Sequence, residues 1–219
     1  MENIIIERLF PKIKKDLNKL MIDTESISYI TTPSTSEKIT KIIKEYSHKC
    51  NFKINTVIDC TGCVGGDTIS FGRTFNTVIS IELDKEKYKF LQNNVKIYEL
   101  DNVTVINSCC IDYIKKSSAS DLIYIDPPWG GKNYKNKHFI TLSIGDMSIE
   151  EFSFGVFNGM FKSGEPKILA LKLPKNYDYI YFCKNININN DMKIIKHQLN
   201  KIDLLIIMKL NTYLPLKIK

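Results

Sequence analysis

Two stretches of the chain carry residue types that could do chemistry. The first is Thr56 to Thr68, TVIDCTGCVGGDT, and the second is Asp121 to Tyr134, DLIYIDPPWGGKNY. Each opens on a short apolar run and closes on a turn of small or rigid residues. In the first, Gly62, Gly65 and Gly66 can take positive φ and let backbone approach a ligand closely. A helix beginning at these glycines would turn its N-terminus toward that ligand. Glu82 ends the next apolar run, where a carboxylate can accept both hydroxyls of a ribose. A plain strand-to-helix turn beside a solvated Glu is the bland alternative. The spacing is not G-x-G-x-x-G, so the dinucleotide fingerprint is absent and an oxidoreductase is disfavoured.

The second stretch holds Asp126-Pro127-Pro128-Trp129. Two prolines fix the backbone and remove two N–H donors. Their carbonyls and the Asp126 carboxylate are then acceptors, which an exocyclic amine needs for its two protons. Hydrogen bonds of this kind hold the amine's lone pair toward an electrophile, and such positioning supplies much of the rate of a group transfer. Trp129 is the only tryptophan. Beside a rigid turn it suits stacking on a flat base; a tryptophan packed in the core is the alternative.

The elements that must position these residues follow from periodicity. Residues 4–20 show roughly helical apolar spacing broken at Pro11, and residues 27–35 are turn-like. Ser36 is the expected N-cap of an amphipathic helix with Ile39, Ile42, Ile43 and Tyr46 on one face. From Thr56 the pattern alternates. Strands are expected at 57–58, 77–81, 103–106, 122–125, 167–173, 194–198 and 204–209, with helices at 67–75, 85–98, 112–116 and 148–161. The stretch 185–190, NININN, reads as a loop. This alternation implies an α/β fold with a mostly parallel sheet, whose ligands bind beyond the carboxyl ends of the strands. Asp59, Glu82 and Asp126 each fall at such an end.

The 219 residues suit one domain with a small appendage, expected as a helical extension over 1–50 and a main domain over 51–219. The net charge of +7 comes almost wholly from lysine, since Arg8 and Arg73 are the only arginines. That suits diffuse attraction to phosphate better than arginine forks reading bases. No apolar run reaches membrane-spanning length and no signal pattern opens the chain, so an intracellular protein is expected. Cys60 and Cys63 form a CxxC, but it sits in the glycine turn with no histidine near. Reduced, buried cysteines are expected rather than a zinc site.

The first turn with Glu82 resembles the class I methyltransferases that use S-adenosylmethionine. The resemblance implies a seven-stranded Rossmann-like sheet. It implies that Asp59 and the turn residues Gly62, Gly65, Gly66 and Thr68 hold the methionine moiety, and that Glu82 holds the ribose. A residue after the third strand would contact the adenine amine, either Asp112 or one of Cys109 and Cys110. The tetrapeptide Asp126–Trp129 matches the [D/N/S]-P-P-[Y/F/W] motif of enzymes that methylate amino groups of planar substrates.

The longer string PPWGG with Tyr134 resembles the trimethylguanosine synthase family, the RNA cap guanine-N2 methyltransferases. So do VIDCTGCVGGDTI in the first turn, YITTPSTSEKI at 29–39 and Leu173-Pro174-Lys175-Asn176. This resemblance implies that Asp126, Pro127 and Trp129 act on the amine. It implies that Trp129 and Tyr134 hold 7-methylguanine, that Lys38 and Lys175 meet the cap phosphates, and that Asn176 lines the substrate site. The cofactor would be S-adenosylmethionine, no metal is needed, the partner is capped RNA, and the protein is expected as a monomer. Four features depart from the family. Asp126 stands where serine is usual, Thr61 replaces an aromatic residue, Gly62-Cys63 stands where Cys-Gly is expected, and residues are inserted between Pro33 and Glu37. Asp126 keeps adenine-N6 methylation of RNA or DNA open, and the altered turn keeps open a cap-binding module without turnover.

Overall fold

The computed structural model describes residues 2–13, 16–162, 164–186 and 192–209. The chain forms α1 (Glu2–Leu9), α2 (Pro33–Lys49), β1 (Thr56–Asp59), α3 (Gly66–Gly72), β2 (Thr77–Glu82), α4 (Lys85–Ile97), β3 (Val103–Asn107), α5 (Cys110–Ile114) and β4 (Leu122–Ile125). There follow β5 (Ser143–Ile144), β6 (Met147–Ser148), α6 (Ile149–Phe157), β7 (Ile168–Pro174), α7 (Tyr179–Asn185), β8 (Met192–Gln198) and β9 (Ile202–Lys209). Seven strands make one sheet in the order β3-β2-β1-β4-β7-β9-β8, and β5 pairs with β6 in a small hairpin. The β1–β2, β2–β3 and β4–β7 ladders are parallel, while β9 runs antiparallel to both β7 and β8. The expected seven-stranded, mostly parallel α/β fold is therefore present.

By contact density the chain divides into two compact units, one of residues 1–45 and 54–110, the other of 46–53 and 111–219. In the first unit, Val57, Ile58, Ile69, Phe71, Val78, Ile81 and Leu91 are buried. Each contributes roughly 1.5–3 kcal/mol by leaving water. The N-terminal segment joins this core, with Phe10, Leu20 and Ile30 packing against Val64, Ile69 and Tyr98. Asn94, with no exposed surface, fastens it: its amide donates to Met21 O and Val64 O and accepts from Met21 N. A buried amide with all three bonds made fixes its neighbours firmly, because each bond lost would leave an unpaired polar group.

Pro11 does interrupt the N-terminal helical pattern, since α1 ends at Leu9 and a short 3-10 turn forms at Leu17–Lys19. Helix α2 starts four residues earlier than Ser36 as the N-cap implies. Pro33 takes the first helical position, where a missing N–H costs nothing. Ser36 lies inside the first turn and donates its hydroxyl to Pro33 O at 3.1 Å.

In the second unit, all four residues of β4 and all seven of β7 are buried. Helix α6 begins with a capping box between Ser148 and Glu151. Two elements lack a sequence signal. Helix α7 is a short aromatic run, YIYFCKN, of weak helix formers, started by Asp178 accepting from Tyr181 N at 2.8 Å. The β5–β6 hairpin has two residues on each side and turns at Gly145, whose φ is 58°. Of the expected loop at 185–190, Asn185 instead ends α7, and 187–190 lie outside the described residues.

Candidate methyl-transfer site

In the first unit the turn after β1 is built from inside. Asp59 is buried and accepts from Thr61 N at 3.2 Å and Thr68 Oγ1 at 2.6 Å. Because the single hydroxyl proton of Thr68 goes to Asp59, its 2.8 Å contact with Ser80 Oγ makes Ser80 the donor there. The chain of bonds Ser80 to Thr68 to Asp59 fixes the carboxylate against the turn. Thr68 has no exposed surface. The structure therefore gives Thr68 a shaping role through Asp59 rather than a face for a cofactor to touch.

The glycines meet different demands. Gly65 has φ 107° and opens α3, a conformation that side chains rarely adopt. Gly66 is crowded: a Cβ there would lie 2.8 Å from Thr31 O and 2.9 Å from Ile30 Cγ1. Backbone at residues 30–31 thus rides directly on the start of α3, and Thr31 Oγ1 donates to Asp67 Oδ2 at 2.7 Å. This approach buries Gly65 and Gly66, and the partly exposed residues of the turn are Thr61 and Cys63. Cys63 takes φ 48°, so the departure from glycine falls on a left-handed position. Such a backbone costs a non-glycine residue on the order of 1–2 kcal/mol. Burial pushes the Cys63 thiol up to about 12, so it stays protonated at neutral pH.

Glu82 closes this half. Its Oε2 accepts from Cys63 N and its Oε1 from Asp84 N, both at 2.8 Å. Each carboxylate oxygen has a second lone pair for a ligand. Burial raises the Glu82 pKa above the ordinary carboxylate range, against the lowering effect of those two N–H groups. Leu83, next to it, is 71% exposed, a large apolar surface beside a carboxylate. The sequence reading missed Leu83; a leucine directly after the acidic end of β2 is the signal that could have found it. Of the three residues considered for an adenine amine, Cys110 is buried with its thiol against Cys60, Cys109 is half-buried, and Asp112 is exposed in the first turn of α5.

In the second unit, Asp126 follows β4 and Pro127 is buried behind it. The sequence left out the partner of Asp126. Lys172 Nζ lies 2.5 Å from Asp126 Oδ2, with the lysine side chain only 4% exposed and that of Asp126 22%. The register makes this pair: Ile125 stands opposite Leu171, so the next residues along both strands meet. Lys172, inside the apolar run KILALKL, carries its charge into a dry layer, and a cation flanked by Leu171 and Leu173 was the available signal. The same ammonium sits 5.6 Å from the Trp129 ring centroid, within cation–π range.

Trp129 is half-buried and meets Tyr134 edge-to-face, with centroids 5.2 Å apart and planes at 79°. Its indole N–H is buried without a partner among the described residues. Tyr134 lies on the 3-10 turn Lys132–Asn136. Asn176 holds that turn, its amide donating to Tyr134 O and Lys137 O at 2.8 Å each. Both amide protons of Asn176 are thus spent on the loop that carries Tyr134. Lys175 is paired with the buried Asp203 at 2.7 Å, which Lys196 also meets at 3.0 Å. Lys38 is exposed on α2 in the first unit. Among the described residues no cluster of ligating side chains could hold a metal, and no helix is long and apolar enough to cross a membrane.

The chain is 33% identical over 227 residues to protein L320 of Acanthamoeba polyphaga mimivirus, covering 93% of this chain and 86% of that one. It is 29% identical over 168 residues to the trimethylguanosine synthase of Schizosaccharomyces pombe, covering 73% of this chain and 64% of that enzyme. Among solved structures, the fold is shared with the Thermus thermophilus 16S rRNA N2 G1207 methyltransferase RsmC, solved with AdoMet and guanosine, at a TM-score of 0.57 and 14% identity. That match covers 86% of this chain and 44% of RsmC. An rRNA methylase of Streptococcus thermophilus shares it at a TM-score of 0.51 and 12% identity, covering 78% of this chain and 96% of that one. The model of the RNA cap guanine-N2 methyltransferase family matches residues 54–214, and with that match the chain belongs to this family of methyltransferases.

Proposed function

We propose that the protein transfers a methyl group from S-adenosylmethionine to the exocyclic N2 amine of 7-methylguanosine in an RNA cap. The observation that carries this reading is the turn Asp126–Trp129, where a carboxylate acceptor for an amine stands beside an indole braced by Tyr134. Trp129 stacks on the base, whose positive charge strengthens the contact with an aromatic face. Asp126 and the Pro127 carbonyl accept the amine protons and hold the nitrogen lone pair toward the methyl group.

S-adenosylmethionine, when bound, supplies an electrophilic methyl on a cationic sulfur. The residues of the first unit fit it. Glu82 keeps lone pairs for ribose hydroxyls, Leu83 offers apolar surface to the adenine ring, and the partly exposed Thr61 and Cys63 face the methionine end. Asp59, Gly65, Gly66 and Thr68 shape that turn, and Asp112 or Cys109 contacts the adenine amine. The amine held by Asp126 and the Pro127 carbonyl would form the C–N bond to the methyl carbon and release its surplus proton to solvent, while the C–S electron pair would stay on sulfur. The extension over 1–50 contributes to the site through residues 30–31, which abut Gly66, and Lys38 and Lys175 meet the cap phosphates. The enzyme acts on capped RNA as a monomer.

Mass analysis of m7GTP after incubation with enzyme and S-adenosylmethionine tests this. A gain of one or two methyl masses is expected. Methyl transfer to adenine-containing RNA with none to m7GTP would instead establish the reading that Asp126 favours, an adenine-N6 enzyme.

A further inference from the structure

The pairing of Lys172 with Asp126 changes what the base-binding turn presents. A lone carboxylate beside Trp129 would attract a cationic base and select it over a neutral one. Here the carboxylate lies 2.5 Å from a buried ammonium, and that ammonium stands 5.6 Å from the indole centroid. The two charges cancel to first order at the point where a base would stack. Lys135, 5.8 Å from the Tyr134 centroid, is a further cation on the same turn, on an exposed side chain where solvent screens it. Lys172 has no such screening, since its side chain is 4% exposed.

We propose that Lys172 is a specificity-determining residue, which cancels the charge of Asp126 and so sets how strongly the site prefers 7-methylguanine to guanine. This rests on the reading that Trp129 stacks on the base. Two full charges within about 10 Å in a poorly screened setting change a binding ratio by about tenfold. With Lys172 removed, the carboxylate loses its near counter-charge and favours the cationic base. With Asp126 removed, the ammonium loses its near counter-charge and favours the neutral one. Removing both returns the site to neutrality.

Trp129 is the only tryptophan, so its fluorescence reads the site directly and without turnover. The experiment titrates m7GTP and GTP into the full-length protein and into Lys172→Met, Asp126→Ser and the double variant, each checked for fold by circular dichroism. The ratio of the two dissociation constants cancels any general weakening. It is expected to shift about tenfold toward m7GTP in Lys172→Met, about tenfold toward GTP in Asp126→Ser, and to return near the wild-type ratio in the double variant. If Lys172→Met does not fold, Asp126→Ser and the double variant still decide the matter. A ratio constant across the folded variants, with both nucleotides equally weakened, overturns the proposal and leaves base stacking intact. Wild-type fluorescence that responds to neither nucleotide overturns the stacking reading itself and this inference with it.

Discussion

Lys172 and Asp126 meet at 2.5 Å because the parallel register of β4 and β7 sets Ile125 opposite Leu171 and the next residues opposite each other. A buried ammonium is tolerated only with a partner, and taking one partner away costs roughly 3–5 kcal/mol. Losing Asp126 takes the counter-charge from an ammonium that is only 4% exposed, so the cost should fall within that range. Asp126→Ser is expected to lower stability by about 3 kcal/mol in urea denaturation, and Asp126→Ser with Lys172→Met to recover most of that. A double variant as unstable as the sum of the two singles would show that the pair is not coupled.

Trp129 is braced at its edge by Tyr134. Trp129→Ala is expected to weaken m7GTP binding by roughly five- to 150-fold, since stacking on one base contributes about 1–3 kcal/mol. Affinity for S-adenosylhomocysteine should be unchanged. Calorimetric titration of both ligands separates the two effects, and wild-type m7GTP affinity in the variant would remove Trp129 from the site.

Asn176 offers a different test because it acts at one remove. Its amide ties down the Tyr134 and Lys137 carbonyls. Asn176→Ala should loosen the loop that braces Trp129 and raise KM for the capped substrate several-fold, with a smaller change in global stability. Steady-state kinetics beside thermal melting reads both, and an intact KM would confine Asn176 to folding.

Glu82 carries a pH dependence. Burial raises its pKa above the ordinary carboxylate value, so on acidification the carboxylate is lost at a higher pH than an exposed glutamate would lose it. Cofactor affinity should fall as pH drops through that raised value, and Glu82→Gln should flatten the profile. Stability has the opposite sign. The folded protein binds this proton more tightly than the unfolded chain, so the contribution of Glu82 declines as pH rises from the ordinary carboxylate range through the raised value. Equilibrium binding of S-adenosylhomocysteine between pH 5 and 8 checks the first statement.

Gly66 is the crowded glycine, with room for a Cβ blocked by Thr31 O at 2.8 Å. Gly66→Ala must push residues 30–31 off the start of α3. A destabilisation of about 1–3 kcal/mol is expected, together with faster proteolysis of the N-terminal segment. Gly131→Ala is the control: its φ is 70°, but nothing lies within 4 Å of the added methyl, so only backbone strain is felt there.

Strand positions were legible in the sequence because apolar runs such as LIYI and KILALKL end in turn residues, and a fully buried strand has few other ways to read. The motif Asp126–Trp129 could be singled out by residue type and by its resemblance to a known motif. What stayed hidden was pairing over distance. Lys172 was given no role from the sequence, and only the register shows that it answers Asp126. Thr68 looked like a ligand contact because it lies in the turn, but hydrogen bonds to Asp59 and Ser80 turn it inward. Lys175 and Asn176 sat in a motif read for substrate, and the fold also gives them partners in Asp203 and the Tyr134 loop. Short elements such as α7 escaped because tertiary packing, rather than propensity, sustains them.

Strand β7 is buried along its whole length and flanked by β4 on one edge and β9 on the other. A charge introduced there has no route to water, so it survives only if its counter-charge is already in place. The two positions 126 and 172 therefore behave as one inherited character. A lineage moving between serine and aspartate after β4 must exchange the residue on β7 in the same step or pass through an unstable intermediate. Across relatives of this chain, an acidic residue in the motif should travel with a lysine two places before the proline that ends β7, and a serine with an apolar residue.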